Sequence, residues 1–393
     1  MRIAFVTNEF VIEKPDGGGL GNYLNRMTLL LTKAGHDVEI FVIRHKLETP
    51  RIIDFNGIRV EHVPLAKNWY FRIVNFMDRL LFQTPYSGLH YNLGVSLALS
   101  RALEKRHNEK SFDIVQSANV SGAGLFIKRK KGRKHILRLS SIIKPNLIND
   151  NQYKGIGARI LVLIEKLMII RADKIYAPSF FTAKNYKFLF SPKIHMLRPP
   201  FFLEAEPDND FNQNIPDKYL IHFGSIGTLK GSDLIAQALV KIWEQIPDFK
   251  MVWVGKERVG GEMNEYHRIW GDFSKNIIWI PSLQKKELYA VLKKSTAAVL
   301  PSRVDNLPNT VIESLFLNVP VIGSDGASID ELVKEGLNGA LIKIGDVNHL
   351  AELMIKAWVN LKLILPDKFY LVPEMEHFNE SNSINNFIDF IKN

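Results

Sequence analysis

Short apolar runs alternate with helical patterns along this chain, and this alternation most constrains its fold. Ile3–Thr7 and Val38–Ile43 are continuous apolar runs, typical of strands buried on both faces of a parallel sheet. Between them, Tyr23–Ala34 has helical periodicity and ends before Gly35, a suitable residue just past a helix end. This strand–helix–strand order predicts a βαβ unit, so the fold class is α/β.

The alternation continues and then restarts after a linker. The linker, Leu197–Pro216, contains two consecutive prolines and an acidic stretch. Further strands are predicted at 113–116, 136–139, 174–177, 219–223, 251–254, 277–280, 297–300 and 319–323, with helices at 157–171, 233–245, 285–294 and 309–316. We expect two Rossmann-like, doubly wound domains facing a cleft, 1–200 and 201–375, and a C-terminal helix at 376–393 that crosses back to the first domain.

Length and composition agree with a globular enzyme of two domains. The chain has 393 residues, of which 46% are apolar and 23% charged. It has no cysteine, which excludes disulfides, zinc–thiolate sites and thiol catalysis. The first ten residues read as a strand and lack a signal-peptide pattern, and no run of 18 apolar residues occurs. We therefore expect a cytoplasmic protein.

The net charge of +10 is unevenly divided between the halves. Residues 1–200 carry a net charge of +17 and residues 201–393 a net charge of −7. A basic half attracts phosphates, an anionic membrane or nucleic acid, whereas the alternative is surface charge kept for solubility. The run Lys128–Lys134 has six cations in seven residues, and Trp69–Phe82 is an aromatic, partly cationic stretch. Together they resemble a membrane-facing surface, with a solvated loop and core packing as alternatives. No nucleic-acid-binding motif accompanies the charge.

Three loops carry candidate chemistry, each at the carboxyl end of a predicted strand. Gly17–Gly21 opens a helix and could offer amides to phosphate, or be a flexible surface loop. Phe223–Gly231 places Lys230 at a helix start, where a cation is unfavourable unless an anion binds there; the alternative is an ordinary turn. In the third loop, Asp305 precedes Glu313, a carboxylate one turn into a helix. That carboxylate suits a ribose diol, and a solvated helical glutamate is the alternative.

The segments DNLPNTVIESLFLNVPVIGS, GTLKG and ASIDELVKEGLNGALIKIGD together resemble retaining glycosyltransferases of the GT-B fold, family 4, of the bacterial polysaccharide and cell-envelope type. The family's best signal is an acid, seven residues, then a glutamate before an apolar helix. Asp305 and Glu313 have this spacing, with Asp in place of the usual first Glu. The resemblance is dense over roughly residues 219–350 and loose in the first half.

The resemblance implies a hexosyltransferase that uses a nucleotide-sugar donor and no metal or other cofactor. Glu313 would bind the ribose, and Asp305 with the amides of Asn306 and Leu307 would hold the sugar. Lys230 would neutralise charge on the leaving group, and both Lys230 and Asp305 are the candidate catalytic residues. The remaining implied contacts to the diphosphate are Asn309, Thr310, Ser225, Gly18 and Gly19.

Two departures from the family pattern concern the donor sugar. Ser225 stands where members usually have an arginine, so Lys230 alone or Arg303 would supply the charge. Members often have a histidine at the end of a middle strand of the first domain; here His135 lies at the strand start, and Arg138 or Ser140 would stand in. Alternatives to a transferase are another GT-B enzyme, such as a nucleotide-sugar epimerase, or a catalytically silent carbohydrate- or lipid-binding protein. The expected acceptor is a saccharide or a lipid-linked molecule at the cytoplasmic membrane face.

Overall fold

A computed structural model describes residues 1–12, 18–44, 47–65, 76, 89–141, 156–190, 193–211, 215–366 and 368–392. The chain divides into two compact units. Unit 1 comprises Met1–Phe201 with His377–Asn393, and unit 2 comprises Phe202–Glu376. The C-terminal segment thus belongs to the unit that begins the chain.

Unit 1 is built on an eight-stranded sheet in the order β3-β4-β2-β1-β5-β6-β7-β8. Its strands are β1 (Arg2–Thr7), β2 (Asp37–Arg44), β3 (Arg51–Phe55), β4 (Ile58–Pro64), β5 (Ile114–Ala118), β6 (Lys134–Arg138), β7 (Lys174–Ala177) and β8 (Ile194–Met196). All neighbours pair in parallel except β3 and β4, which form an antiparallel edge hairpin. Continuous apolar runs do not predict this hairpin, because β3 is largely exposed and β4 alternates apolar with polar residues.

The helices of unit 1 cover both faces of this sheet. They are α1 (Gly19–Lys33), α2 (Leu89–Glu109), α3 (Ile156–Arg171), α4 (Phe180–Phe190) and, after the return from unit 2, α10 (Glu380–Lys392). One buried cluster joins α2 to β1, β2 and β5, and another joins α3 to β6 and β7. Every residue of β1 and β5 is buried. In β1 this burial gives the continuous apolar run from Ile3 to Val6, whereas β5 contains two buried polar residues, Gln116 and Ser117.

Unit 2 is a six-stranded, fully parallel sheet in the order β11-β10-β9-β12-β13-β14. Its strands are β9 (Leu220–Phe223), β10 (Met251–Val254), β11 (Ile277–Ile280), β12 (Ala298–Leu300), β13 (Val321–Asp325) and β14 (Gly339–Lys343), and its helices are α5 (Ser232–Trp243), α6 (Glu262–Trp270), α7 (Lys285–Lys294), α8 (Asn309–Phe316) and α9 (Val347–Val359). Trp243, Trp253 and Trp270 lie in its core, and the Trp270 ring centroid is 6.1 Å from that of Trp243 and 5.5 Å from that of Trp253. Two Rossmann-like α/β sheets, as predicted, are therefore present.

Candidate functional site

Strand order in unit 2 reverses between β9 and β12. From β9 the chain goes outward to β10 and β11, and from β12 it goes outward in the opposite direction. The loops that leave two such strands diverge and leave a crevice at their carboxyl ends, where open α/β sheets bind ligands. The predicted GTLKG turn follows β9 and the Pro301 loop follows β12. Both predicted donor loops therefore flank the switch point.

Gly231 holds these two loops against each other. A Cβ atom there would lie 2.1 Å from the carbonyl oxygen of Pro301, and Gly231 has a φ of +72°. The amide of Arg303 also donates to the carbonyl of Leu229 at 2.9 Å. Only glycine meets both requirements, the left-handed backbone and the absence of a Cβ. The packing of the two loops therefore requires glycine at position 231, the last residue of the GTLKG turn.

Lys230 and Asp305, the two candidate catalytic residues, form an ion pair across these loops. Both side chains are partly buried, and Asp305 also accepts the amide of Asn306 at 2.9 Å. Lys230 ends a short 3-10 turn, Thr228–Lys230, and lies just before α5 rather than inside its first turn. The structure therefore brings the two candidate catalytic side chains into direct contact.

Glu313 is buried within α8, with 2% of its surface exposed. Its partner is Lys285, whose Nζ lies 2.5 Å from Oε1 of Glu313. Sequence reasoning did not include Lys285. The available signal was its position as the first residue of α7, which follows β11 at the same carboxyl edge of the sheet.

The other predicted donor contacts lie along the same edge. Ser225 is exposed in the turn after β9, and Asn309 is the first residue of α8. The methyl group of Thr310 would be 3.4 Å from a Cβ at Gly224, so the start of α8 approaches that turn. Asn306 and Leu307 are half-buried in the loop before α8. The hydroxyl of Ser328 donates to the Asn306 carbonyl at 2.8 Å and braces that loop.

A buried histidine supports the GTLKG turn from below. Nδ1 of His222 lies 2.8 Å from the carbonyl oxygen of Val299, which can only accept, so Nδ1 carries the proton. Nε2 then accepts from the Ser232 hydroxyl at 3.0 Å, and the Ser232 oxygen accepts the Gly227 amide at 3.0 Å. Burial lowers the pKa of His222 to about 4, which keeps the ring neutral in this chain of hydrogen bonds.

Arg303, considered above as a replacement for the missing arginine, is engaged elsewhere. Its guanidinium makes a two-point ion pair with Asp233 at 2.6 and 2.7 Å. It also donates to the Thr228 carbonyl at 2.6 Å. These contacts fix the start of α5 beside the loop and leave Lys230 as the cation that pairs with Asp305.

In unit 1, the glycine loop and a carboxylate meet at the start of α1. This helix begins at Gly19, so part of the loop forms its first turn instead of preceding it. Oε1 of Glu9 accepts the Gly21 amide at 3.1 Å and would lie 3.1 Å from a Cβ at Gly18. A side-chain carboxylate therefore occupies part of the anion position that helix N-termini provide. Gly17, the first residue of the predicted Gly17–Gly21 loop, lies outside the described residues.

Arg138 and Ser140 lie at the carboxyl end of β6. The guanidinium of Arg138 stacks over the Tyr23 ring, 3.9 Å from its centroid, and donates to the Ser140 hydroxyl at 2.5 Å. Arg138 is buried and has no ion pair among the described residues; its Nε lacks a hydrogen-bond partner there. His135, at the other end of the same strand, contacts the Ser117 hydroxyl at 2.8 Å, and burial lowers its pKa to about 3.

A buried polar network, which sequence reasoning missed, holds the turn after β6. Oδ1 of Asn119 accepts the amides of Ser140 and Ser141 at 2.7 and 3.2 Å. The amide nitrogen of Asn119 and the hydroxyl of Tyr186 both donate to the Ser141 carbonyl, at 2.9 and 2.6 Å. Both groups also contact the carboxyl of Glu165. Burial raises the pKa of Glu165 to about 8, against the opposing effect of these hydrogen bonds.

Comparison with known proteins places both units in one family. Residues 18–200 match the model of the glycosyl transferase 4-like domain, and residues 205–363 match that of glycosyl transferases group 1. The chain belongs to the GT-B glycosyltransferases of the GT4 type. The motifs at Lys230, Asp305 and Glu313 lie within the second match.

Several curated relatives are also glycosyltransferases. An uncharacterized glycosyltransferase of Methanocaldococcus jannaschii is 26% identical over 188 residues, and the chain spans 45% of its length. The D-inositol 3-phosphate glycosyltransferase of Actinosynnema mirum is 21% identical over 361 residues, covering 84% of this chain and 82% of the relative. A protein in the cps region of Klebsiella pneumoniae is 27% identical over 300 residues, covering 69% of this chain and 76% of that one.

Solved structures share the fold of this glycosyltransferase. Sucrose-phosphate synthase from Thermosynechococcus elongatus aligns with a TM-score of 0.73 at 15% identity, covering 100% of this chain and 98% of its own. HepE of Anabaena, in complex with UDP and glucose, aligns with a TM-score of 0.69 at 13% identity, covering 100% and 99%. The predicted GT-B fold and family are confirmed.

Three further observations concern a membrane or a metal ion as a partner of the glycosyltransferase. The aromatic stretch Trp69–Phe82 lies outside the described residues except for Phe76, which is exposed. Within the described ranges, no group of three or more His, Asp or Glu side chains is placed to hold a metal ion. None of the helices described there is long and apolar enough to cross a bilayer.

Proposed function

We propose that this glycosyltransferase moves a hexose-type sugar from a nucleoside diphosphate donor to a saccharide or lipid-linked acceptor, with retention of configuration and without a metal. The observation that carries the proposal is the Lys230–Asp305 pair at the switch point between β9 and β12. A metal-free site needs a fixed cation for the leaving diphosphate, and Lys230 is that cation. The carboxylate beside it is available for sugar hydroxyls once phosphate engages the lysine.

The charges on this edge match those that develop during transfer. Cleavage of the bond between the anomeric carbon and the diphosphate oxygen leaves negative charge on that oxygen. Lys230 and the amides at the start of α8, Asn309 and Thr310, stabilise this charge. Asp305 and the amides of Asn306 and Leu307 hold the sugar while positive charge builds on its ring.

Glu313 is the proposed ligand of the ribose. A buried carboxylate accepts two hydrogen bonds from a vicinal diol, and Lys285 supplies the counter-charge that lets Glu313 remain buried as an ion. The residues proposed for the phosphates are completed by Ser225, Gly18 and Gly19. Because Glu9 already accepts the Gly21 amide, phosphate at Gly18 would have to displace or adjoin that carboxylate.

The acceptor is proposed to bind at the carboxyl edge of the unit 1 sheet, near Arg138 and Ser140. In the retaining route, the acceptor oxygen attacks the face from which the diphosphate departs, and the departing phosphate takes the acceptor's proton. No enzyme nucleophile is needed, so the residues bind, orient and balance charge. The network of Asn119, Glu165 and Tyr186 fixes the backbone on which Ser140 lies.

The names of relatives support a nucleotide-sugar donor and a role in the cell envelope. HepE was crystallised with UDP and with UDP-glucose. One relative, in Rhizobium leguminosarum, is a lipopolysaccharide core biosynthesis mannosyltransferase, 22% identical over 193 residues, covering 47% of this chain and 52% of its own. Synthesis of bacterial polysaccharide is the proposed setting.

Calorimetry with UDP, GDP and ADP tests the donor site, and a screen of nucleotide sugars for hydrolysis tests the chemistry. We expect one of the three nucleotides to bind the wild type and to lose its affinity in Glu313→Ala. We also expect slow hydrolysis of a nucleotide sugar that contains the same nucleotide. Binding to none of the three overturns the transferase. Binding with no turnover favours a silent sugar- or lipid-binding protein, and interconversion of donor sugars favours an epimerase.

We also propose that unit 1 associates peripherally with an anionic membrane through the region of Lys128–Lys134. Several cations of this run have structural partners: Lys130 and Arg133 pair with Glu104, and Lys134 donates to carbonyls at the end of α10. Lys128, Arg129 and Lys131 are exposed. Salt-reversible co-sedimentation with anionic vesicles is the expected result.

A further inference from the structure

We infer that the exposed face of α3, with the basic turn at its C-terminal end, is the surface that docks on an anionic lipid membrane. The inference rests on the membrane association proposed above and is independent of the donor chemistry. The earlier proposal names only the basic run Lys128–Lys134, whereas this inference places helix α3 at the membrane interface. The apolar contact comes from a helix, and the Lys128–Lys134 run contributes only its exposed cations.

The solvent side of α3 is apolar. Leu163, Leu167 and Ile170 are 53%, 41% and 59% exposed, and their spacing of four and three residues puts them on one stripe. The opposite side of the same helix is also apolar and packs into the core of unit 1 through Ile164 and Met168. The core covers only one of these two apolar sides. Because contiguous apolar patches on a protein surface mark contact surfaces, we expect the exposed side to bind a partner.

The charges around this stripe are almost all positive. Lys166 and Arg171 are exposed and flank the stripe on the helix itself. The acid of α3, Glu165, points into the core and is 1% exposed. Just beyond the helix, the carboxylate of Asp173 accepts the His135 amide at 2.8 Å.

Arg129 joins the basic turn to this helix. Its guanidinium donates to the carbonyls of Ile170 and Arg171 at 3.1 and 3.3 Å, at the C-terminal end of α3. This contact places the exposed Lys128 and Lys131 near the end of the apolar stripe. The sequence separates the two segments by about 30 residues, so only the fold reveals that they form one surface.

A bilayer fits this surface better than a second copy of the chain does. In a two-fold contact, the flanking cations of one copy would face those of the other and repel. Anionic headgroups neutralise them, and Lys166 and Arg171 can extend toward the headgroups while the leucine and isoleucine side chains enter the acyl boundary. With 16 residues, α3 is suited to lie in the plane of the interface.

The test is co-sedimentation of the full chain with vesicles of phosphatidylcholine, with and without phosphatidylglycerol. The two test variants are Leu163→Gln with Ile170→Gln, and Lys166→Glu with Arg171→Glu. Matched controls are Ile52→Gln, at an apolar residue 61% exposed on β3, and Lys105→Glu, at an exposed lysine of α2. We expect salt-sensitive binding to the anionic vesicles only, weakened roughly tenfold or more in both test variants and unchanged in the controls.

The nucleotide that binds the wild type is titrated into the same variants. Unchanged nucleotide affinity together with lost vesicle binding supports the docking surface and shows that the donor site is separate. Equal vesicle binding by wild type and test variants overturns the inference, as does absence of binding at low salt. Sedimentation velocity without lipid gives the other decisive result: a dimer that Leu163→Gln with Ile170→Gln dissociates would assign the stripe to self-association.

Discussion

Lys285 and Glu313 form an ion pair, with 2.5 Å between Nζ and Oε1, at the carboxyl edge of the unit 2 sheet. Glu313 is almost fully buried, whereas about a third of the Lys285 side chain is exposed. The two residues come from α7 and α8, which follow strands on opposite sides of the switch point. The pair therefore fixes the orientation of the carboxylate proposed to bind ribose.

Removal of Lys285 should weaken both stability and nucleotide binding. Lys285→Met keeps the length of the side chain but leaves the Glu313 carboxylate without its counter-charge. We expect a loss of about 1 to 3 kcal/mol in the free energy of unfolding, since partial exposure softens the penalty, and several-fold weaker nucleotide affinity. Denaturant titration and calorimetry measure the two effects.

Lys286 is the matched control for that change. It is the next residue along α7 and pairs with Asp208 at 3.3 Å on the surface. We expect Lys286→Met to change the unfolding free energy by less than about 0.5 kcal/mol and to leave nucleotide affinity unchanged. Similar effects from both variants would mean that the burial of Glu313 does not depend on Lys285.

Loss of Lys230 should reduce the rate of transfer more than it reduces donor affinity. Lys230→Met removes the cation proposed to stabilise the leaving oxygen, whose charge develops in the transition state. We expect kcat to fall by roughly 10²- to 10³-fold with the nucleotide sugar that the wild type hydrolyses. Lys241→Met, at an exposed lysine of α5, serves as the control. An unchanged kcat would remove Lys230 from the chemistry.

The sequence predicted the parallel strands and their helices because buried strands are apolar on both faces. Met251–Val254 and Ile277–Ile280 have the predicted bounds, as does the helix Asn309–Phe316. Long-range partners could not be predicted in the same way. Lys285 and Glu313 lie 28 residues apart, and only the strand order brings them together.

The same limit applies to the first unit. The glycines after β1 predicted a phosphate loop, but neither spacing nor periodicity indicates that Glu9 folds back onto the first turn of α1. In α3, the apolar character of Leu163, Leu167 and Ile170 was visible, yet a fully buried helix would have the same composition. Which side of a helix is covered is a property of the packed structure.

Gly231 should be intolerant of any side chain. In Gly231→Ala, the new methyl group meets the Pro301 carbonyl at 2.1 Å in addition to the strain of a φ of +72°. We expect a loss of about 3 kcal/mol or more, with weaker nucleotide binding, because the two donor loops must separate. Gly345→Ala separates the two causes, since Gly345 has a φ of +88° and open space around it. It should cost about 1 kcal/mol, and equal losses would assign the effect to backbone strain alone.

Glu165 should make the stability of unit 1 depend on pH. Its pKa is about 8 in the folded chain against an ordinary value of 4.5, so the folded state holds a proton that the unfolded state has lost across this interval. Stability then falls as pH rises from 4.5 to about 8, by at most roughly 1.4 kcal/mol per pH unit, and levels off above. Neutral Glu165 can donate to the Tyr186 hydroxyl, which in turn donates to the Ser141 carbonyl; the ionised form draws that hydroxyl proton to itself.

Glu165→Gln isolates this effect, because its amide can donate to Tyr186 at every pH. The difference in unfolding free energy between Glu165→Gln and the wild type should shift in favour of the variant between pH 6 and pH 9, as measured by denaturant titration at each pH. Titration of other groups cancels in that difference. The turn at Ser140–Ser141 should also stay ordered in the variant at pH 9. The KM for the acceptor should therefore rise less with pH in the variant than in the wild type. A difference in stability that is constant with pH would mean that Glu165 is ionised in the folded chain throughout, and that the turn is held by Asn119 and Tyr186 without its proton.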